Sequence, residues 1–236
     1  MLNYKFIDKS VWLEKEKILV IADLHLGYEE MLREQGVFIP KTQYKEIISE
    51  LEKIFSVVGK MKEIIILGDL KHEFGTISSQ EWKETLDLID FLKKKTGKII
   101  LIKGNHDNYL INILKKQNIK LVDFYIKDNL AFIHGHKLFP EVLNRKIKYL
   151  FVGHMHPAIS IREGVKSEIY KCFLVGKFKN KELVILPSFF PLVEGADVSI
   201  ENTNLAFKPN LKEFEVYVVG DEVYDFGKVK DVGRLI

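Results

Sequence analysis

The sequence has one cysteine, Cys172, and a single thiol cannot close a disulfide within the chain. It lies in Lys171-Cys172-Phe173-Leu174-Val175, an apolar run that reads as a buried strand, so a core thiol is expected rather than a nucleophile. Long apolar runs are also missing. The first 17 residues interleave charges with apolar side chains instead of forming the stretch of a signal peptide, and no later window is long enough to span a bilayer. A cytoplasmic protein without a membrane partner is expected. No fixed-period repeat, low-complexity tract or Pro/Gly/Ser-rich linker interrupts the chain, which argues for one domain over residues 1–236. An α/β unit of roughly 250 residues is ordinary. Nor is there a large excess of one charge: 36 basic and 33 acidic residues leave +3, too balanced to mark an obligate nucleic-acid binder by charge alone. A Gly-x-Ser-x-Gly elbow and a phosphate-cradling Gly-rich loop with Lys are both absent, which disfavours acyl hydrolases and nucleotide-driven motors.

What the sequence does have is a set of short aliphatic runs, each ending in a polar cluster. Ile18 to Ala22 precedes Asp23, Ile64 to Leu67 precedes Gly68 and Asp69, and Ile99 to Ile102 precedes Gly104, Asn105 and His106. Leu130 to Ile133 leads into His134, and Tyr149 to Val152 into Gly153 and His154. Short β-branched runs favour buried strands. Helical spacing fills Thr42 to Val58 and Ser79 to Lys95, the latter with Ser78 or Ser79 as N-cap, and Tyr109 to Gln117 reads as a third helix. After about Leu121 strands dominate, at Lys171 to Val175, Glu182 to Leu186, Phe214 to Val219 and Glu222 to Phe226; the end from Gly227 reads as an edge strand or a loose tail. The two halves together fit an α/β sandwich of two sheets.

In open α/β sheets the reacting groups gather at the carboxyl ends of strands. The clusters there are Asp23-Leu24-His25, Gly68-Asp69-Leu70-Lys71-His72, Gly104-Asn105-His106-Asp107, His134-Gly135-His136 and Gly153-His154-Met155-His156. All seven histidines of the chain fall inside them. Each cluster alone is ordinary surface or turn chemistry. In order, they supply imidazole, carboxylate and amide oxygen without thiolate, a donor mixture that suits Mn, Fe or Zn rather than a Cys-based zinc site or an all-oxygen Mg or Ca cage.

The order of these five clusters is similar to that of the calcineurin-like metallophosphoesterases, over Asp23 to His156. The resemblance implies a two-sheet α/β sandwich with helices on the outer faces and a dinuclear metal site at the strand ends. It implies that Asp23, His25, Asp69 and His156 would hold one ion, with Asp69 bridging to a second held by Asn105, His134 and His154. His134 rather than His136 matches the family ligand, which leaves His136 to face the substrate or the solvent. His106 matches the family's catalytic histidine and would protonate the departing alkoxide, as an imidazole can near neutral pH. His72 departs from the commoner Asp at its place and matches a nuclease variant, reaching the substrate or pairing with His106. Asp107 reads as a loop-fixing acceptor. Two divalent ions, Mn first and Fe, Ni or Zn as alternatives, would activate water, clamp phosphate oxygens and support in-line attack by a metal-bound hydroxide.

The block Ala22-Asp23-Leu24-His25-Leu26-Gly27, with Arg33-Glu34-Gln35-Gly36-Val37, Ile39-Pro40 and Pro187-Ser188-Phe189-Phe190, resembles the DNA ligase-associated metallophosphoesterases and their archaeal relatives. That likeness implies a phosphodiesterase acting on nucleic acid, DNA or RNA, or on nucleotides. Lys93 to Lys95, Lys115-Lys116, Arg145-Lys146, Lys148 and Lys177-Phe178-Lys179 read as a solvated face that touches phosphates only if it shares the crevice side. Phe189 and Phe190 could stack on bases, with at least one ring expected in the core. The alternatives are a small-molecule phosphodiesterase or phosphatase acting on cyclic nucleotides, and a non-catalytic scaffold, against which the retained His106 argues. Tyr4, Tyr28 and Trp82 leave a homodimer open.

Overall fold

The structure is a computed structural model and describes residues 2–75, 77–164, 166–200 and 203–232. An N-terminal hairpin, β1 (Tyr4–Ile7) and β2 (Ser10–Leu13), pairs antiparallel with β3 (Ile18–Ile21). From there β4 (Glu63–Ile66), β5 (Ile99–Ile102) and β6 (Lys120–Val122) add in parallel, giving a first sheet ordered β1-β2-β3-β4-β5-β6. The second sheet holds β7 (Phe124–Lys127), β8 (Leu130–Ile133), β9 (Tyr149–Val152), β10 (Pro157–Glu163), β11 (Lys166–Phe178), β12 (Lys181–Ile185) and β13 (Ala196–Asp197) in the order β13-β10-β11-β12-β9-β8-β7. Within it β8, β9 and β12 are parallel, and β14 (Glu215–Val219) and β15 (Val223–Lys228) pair onward from β11.

The aliphatic runs are strands buried on both faces, which is why they read as continuous rather than alternating. Ile18, Val20, Ile65 and Ile100 point into the sandwich and meet Phe132, Phe151, Phe173 and Val184 of the second sheet. Their neighbours Leu19, Ile21, Ile64 and Leu101 point the other way and pack under the helices α2 (Gln43–Val58), α3 (Ser79–Lys93) and α4 (Ile111–Gln117). The outer face of the second sheet buries Ile133, Val152, Leu174 and Ile185 against Val198, Leu205 and Phe207 and against Val229 and Val232 of the short α5 (Val229–Val232). Cys172 sits in that core, fully buried.

Helix α3 begins where Ser78 caps it: the Ser78 hydroxyl accepts from the Glu81 N–H and the Glu81 carboxylate accepts from the Ser78 N–H. The third helix starts later than its periodicity predicts, at Ile111, because Tyr109 is left-handed (φ 66°) and cannot join it. Elements that the sequence reading does not name are β1, β2, β6, β7, β10, β13 and α1 (Tyr28–Glu34). The chain end resolves into β15 and α5, and residues 233–236 lie outside the described ones. Among the described residues no helix is long and apolar enough to cross a membrane.

Candidate metal centre

Asp23 and His25 follow β3, Asp69 follows β4, Asn105 and His106 follow β5, His134 follows β8, and His154 and His156 follow β9. Parallel pairing therefore delivers all of them to one end of the sandwich, three connections from the first sheet and two from the second. Beyond the strands the backbones stay tied, with Asp23 N–H on Gly68 O at 3.1 Å and His25 N–H on Asp69 O at 3.0 Å. Asp23, His25, Asp69, His154 and His156 all have positive φ, between 47° and 65°. Asp and His are among the residues that enter this region most readily, and each such position still costs of order 1 kcal/mol. Gly104 serves by its size: a Cβ there would lie 2.1 Å from Asp69 Oδ1.

The donor atoms converge. His134 Nδ1–H donates to Leu67 O at 2.7 Å, which turns Nε2 toward Asn105 Oδ1 at 3.0 Å and Asp69 Oδ2 at 3.3 Å. Three lone-pair atoms thus face one another, an arrangement that needs a cation or a proton between them. On the other side His25 Nε2 and His156 Nε2 stand 3.3 Å apart, with Asp69 Oδ2 3.9 Å from the first and Asp23 Oδ1 3.5 Å from the second. Asp23 Oδ1 is buried without a hydrogen bond. Three groups, Asp23-His25-His156, Asp69-His134-His154 and the all-imidazole His25-His72-His106, each bring their ligand atoms within 4.8 Å of one another, and only the first two include a carboxylate. The donors fit a pair of divalent ions sharing Asp69, with nitrogen and oxygen ligands only.

The electrostatics agree with that reading of the donors. Burial would raise the Asp69 carboxyl, but the hydrogen bond from His134 and the nearby imidazoles outweigh it and hold it well below the usual range. Burial likewise opposes protonation of His134, yet its bond to Asp69 and the charge of Asp23 lift it to about 9. His25 is pushed far down by burial and by His156, and His154 falls to about 4 through burial and His134. Such opposed shifts within one cluster mark a site whose protons are readily exchanged for metal.

The sequence profile of the calcineurin-like phosphoesterases matches residues 16–225. The chain belongs to this family. It is a metal-dependent phosphoesterase, and its two mixed sheets with flanking helices are the family's fold. A nuclease MPE from Pseudomonas putida superposes with a TM-score of 0.67 at 19% identity, covering 94% of this chain and 100% of that one. The phosphoesterase Yfce from E. coli (TM-score 0.44, 15% identity, 89% and 97% covered) and a zinc-complexed Vps29 from Entamoeba histolytica (0.39, 17%, 89% and 99%) are more distant likenesses. No protein of curated function matches the chain.

Around the metal centre the phosphoesterase arranges its remaining histidines in two places. His106 N–H donates to Asp69 Oδ1 at 3.0 Å, its Nδ1 bonds the carbonyl of His72, and its Nε2 looks at Asp69 Oδ2 from 3.9 Å. His72 packs 5.3 Å from His25 and 5.4 Å from His106, ring to ring, and burial with the His106 charge lowers it to about 4. His136 stays outside the donor groups, 5.1 Å from the His134 ring and half-buried, and burial with His134 lowers it to about 4. Asp107 holds the loops together, accepting from Leu70 N–H at 2.9 Å and Gly104 N–H at 2.8 Å. Burial and the charge of Asp69 raise it to about 6.

Several supporting residues carry no sequence signal of their own. Gln43 donates to the carbonyls of Leu24 and His25 at 3.1 and 2.8 Å, fixing the turn that bears the first two donors. Buried Glu81 accepts from the N–H groups of His72 and Glu73 at 3.0 and 2.7 Å. The S-x-x-E capping pattern at Ser78 was the one clue to it. Lys171 Nζ donates to Ser188 O, Ser188 Oγ and Phe190 O, fastening the segment whose Phe190 N–H reaches Asp23 O. Of the two phenylalanines there, Phe189 is core, whereas Phe190 faces His25 and Tyr28. Tyr28 is thereby spent inside the site wall, and Tyr4 hydrogen-bonds Glu182 across the two sheets.

Proposed function

We propose that this phosphoesterase is a two-metal phosphodiesterase that hydrolyses nucleic acid. The observation that carries the substrate class is Phe74. It is 56% exposed, yet its ring lies 3.7 Å from that of His106, beside the crevice walled by Tyr28, His72 and Phe190. An exposed ring over the candidate acid offers a base a stacking platform next to the bond to be cut. A 19%-identical fold shared with a nuclease adds only that the scaffold accommodates such an activity.

In this reading Asp23, His25, Asp69 and His156 hold one ion and Asp69, Asn105, His134 and His154 the other, with Mn expected first and Fe, Ni or Zn as alternatives that the same mixed nitrogen and oxygen donors accept. Bound divalent ions would supply an activated water and charge neutralisation at the phosphoryl oxygens. The protein's own groups do the rest. His106, bonded through Nδ1 to the His72 carbonyl, presents Nε2 to the crevice and can deliver a proton from it to the leaving oxygen. His72 and His136 border the donor cluster on either side and contact the substrate, His136 from beside His134 and His154.

The test is hydrolysis of bis-p-nitrophenyl phosphate and of p-nitrophenyl phosphate by metal-stripped protein, with Mn, Ni, Zn or Mg restored singly, followed by single- and double-stranded DNA and RNA. Metal-dependent diester cleavage that extends to nucleic acid is expected. Dominant monoester cleavage, or rapid hydrolysis of a cyclic nucleotide with nucleic acid untouched, would refute it.

A further inference from the structure

The basic residues are not spread evenly. Seven short segments lead into the N-terminal ends of the parallel strands: residues 14–17, 59–62, 94–98, 118–120, 127–129, 144–148 and 177–181. They hold 15 of the chain's 36 basic residues and 3 of its 33 acidic ones. All seven share one end of the molecule because both sheets run their parallel strands the same way. The C-terminal ends meet at Asp69 and His134, 3.3 Å apart, and the N-terminal ends meet at Glu63, which pairs with Lys98 at 2.9 Å and Lys127 at 2.8 Å. Four-residue strands about 13 Å long separate the two ends.

Helix dipoles account for part of this. Helices α2, α3 and α4 run back from the metal centre and end here, where cations are favoured. Among the described residues these connections of the second sheet hold no α-helix, only a 3-10 turn at Pro140–Leu143, yet residues 127–129, 144–148 and 177–181 contain seven basic side chains and one acidic. Polar internal duties account for three of the set: Lys98 and Lys127 on Glu63, and Lys181 on the carbonyls of Asn144 and Ile147. Lys17, Lys95 and Lys179 also lie over the rings of Trp12, of Phe55 and Phe91, and of Phe178. Lys17, Lys62, Lys120, Lys148 and Lys179 remain exposed. Lys17 and Lys62 directly precede the paired residues Ile18 and Glu63, while Lys148 precedes Tyr149, which pairs with Glu182. The lysines thus edge both sheets, whose strands lie about 4.8 Å apart and whose layers lie about 10 Å apart.

We propose that this pole is a second nucleic-acid surface, gripping the phosphate backbone without sequence preference at the end away from the metal centre. The proposal deepens the nucleic-acid reading of the site and rests on it. A bilayer would want several large apolar anchors among the charges; the exposed large apolar side chains fall outside all seven segments, and Val57, in the last turn of α2 beside residues 59–62, is a single small one next to them. A phosphodiester chain needs only the charges. A polymer held at this pole keeps its other stretches at high local concentration near the crevice, so long substrates gain and short ones do not.

The experiment compares the manganese-loaded parent with a Lys62→Glu, Lys94→Glu, Lys120→Glu, Lys148→Glu variant. Binding of a labelled phosphorothioate duplex is followed by anisotropy across salt concentrations, with bis-p-nitrophenyl phosphate hydrolysis reporting that the variant is folded. Binding is expected to weaken at least tenfold, and the log–log salt slope to shrink by up to about 3.6 for four lost phosphate contacts, with the aryl diester rate unchanged. Cleavage of a long duplex should fall while that of a dinucleotide holds. Unchanged binding by the variant overturns the proposal, as does parent protein that binds phosphatidylserine vesicles but not DNA. If the variant loses DNA binding while the parent cuts neither DNA nor RNA, the pole stands and the substrate reading of the metal centre falls.

Discussion

At the scale of single residues, Asp69 and His106 are brought side by side by the fold and are proposed to do different jobs. Asp69 Oδ2 lies within 3.3 to 3.9 Å of His134, His25 and His106, so Asp69→Ala is expected to lose bound metal and turnover together. His106→Ala should keep its metal, measured by elemental analysis, and lose about 100- to 10,000-fold on a nucleotide ester. The loss should be smaller for a p-nitrophenyl ester, because that leaving group departs without a proton. An equal loss on both would mean that His106 only positions the loop. That these residues would gather in one place was legible because metal chemistry restricts the donor types and a strand end restricts their position; the role of each is a proposal. Phe74 was not, since a lone aromatic in a Gly-containing loop has no pattern until the fold lays it over His106.

At the scale of elements, the parallel strands were readable for a physical reason. Burial on both faces demands unbroken aliphatic runs, whereas β1 mixes a lysine into half-buried aromatics and β2, though wholly buried, offers only Val-Trp-Leu after a serine. Helix α1 was hidden because it spans 7 residues and starts at Gly27 with no side-chain cap. Its work is done by Glu29, which accepts from the N–H groups of Thr42 and Gln43 at 2.6 and 2.8 Å, and by Glu30, which accepts from Gln80 N–H at 2.8 Å. One short helix thereby orients the starts of two long ones. Glu81 does the complementary task for α3 and the 72–73 loop. Glu81→Ala strands three N–H groups, so a loss of about 1–3 kcal/mol in a denaturant titration is expected. A fall in kcat with metal content retained should accompany it; full activity would show that the loop holds itself.

At the scale of the whole molecule, the histidine shifts set a pH dependence for chelator-treated protein. His72, His136 and His154 are lowered to about 4 from 6.5, so between those values the unfolded chain binds protons that the folded chain refuses. Stability therefore falls as pH drops through that window. His134, raised to about 9 from 6.5, contributes stability that is present below 6.5 and lost as pH rises through 9. On the alkaline side Lys171, which burial lowers to about 7 from 10.5, opposes the loss from His134, and on the acid side the three histidines outweigh Asp107, raised to about 6. Urea midpoints should therefore fall from neutrality toward pH 4; a flat profile over that window would contradict the shifts. The straddled site has a kinetic side as well. On the proposed assignment neither sheet alone carries the donors of either ion, since Asp69 comes from the first sheet and His134, His154 and His156 from the second. An ion can be captured only after the halves have docked, and escape requires them to part. Metal then behaves as a rivet, selecting the docked ensemble by about 2.7 kcal/mol at a hundredfold excess over Kd. It should slow unfolding while leaving the refolding rate nearly unchanged.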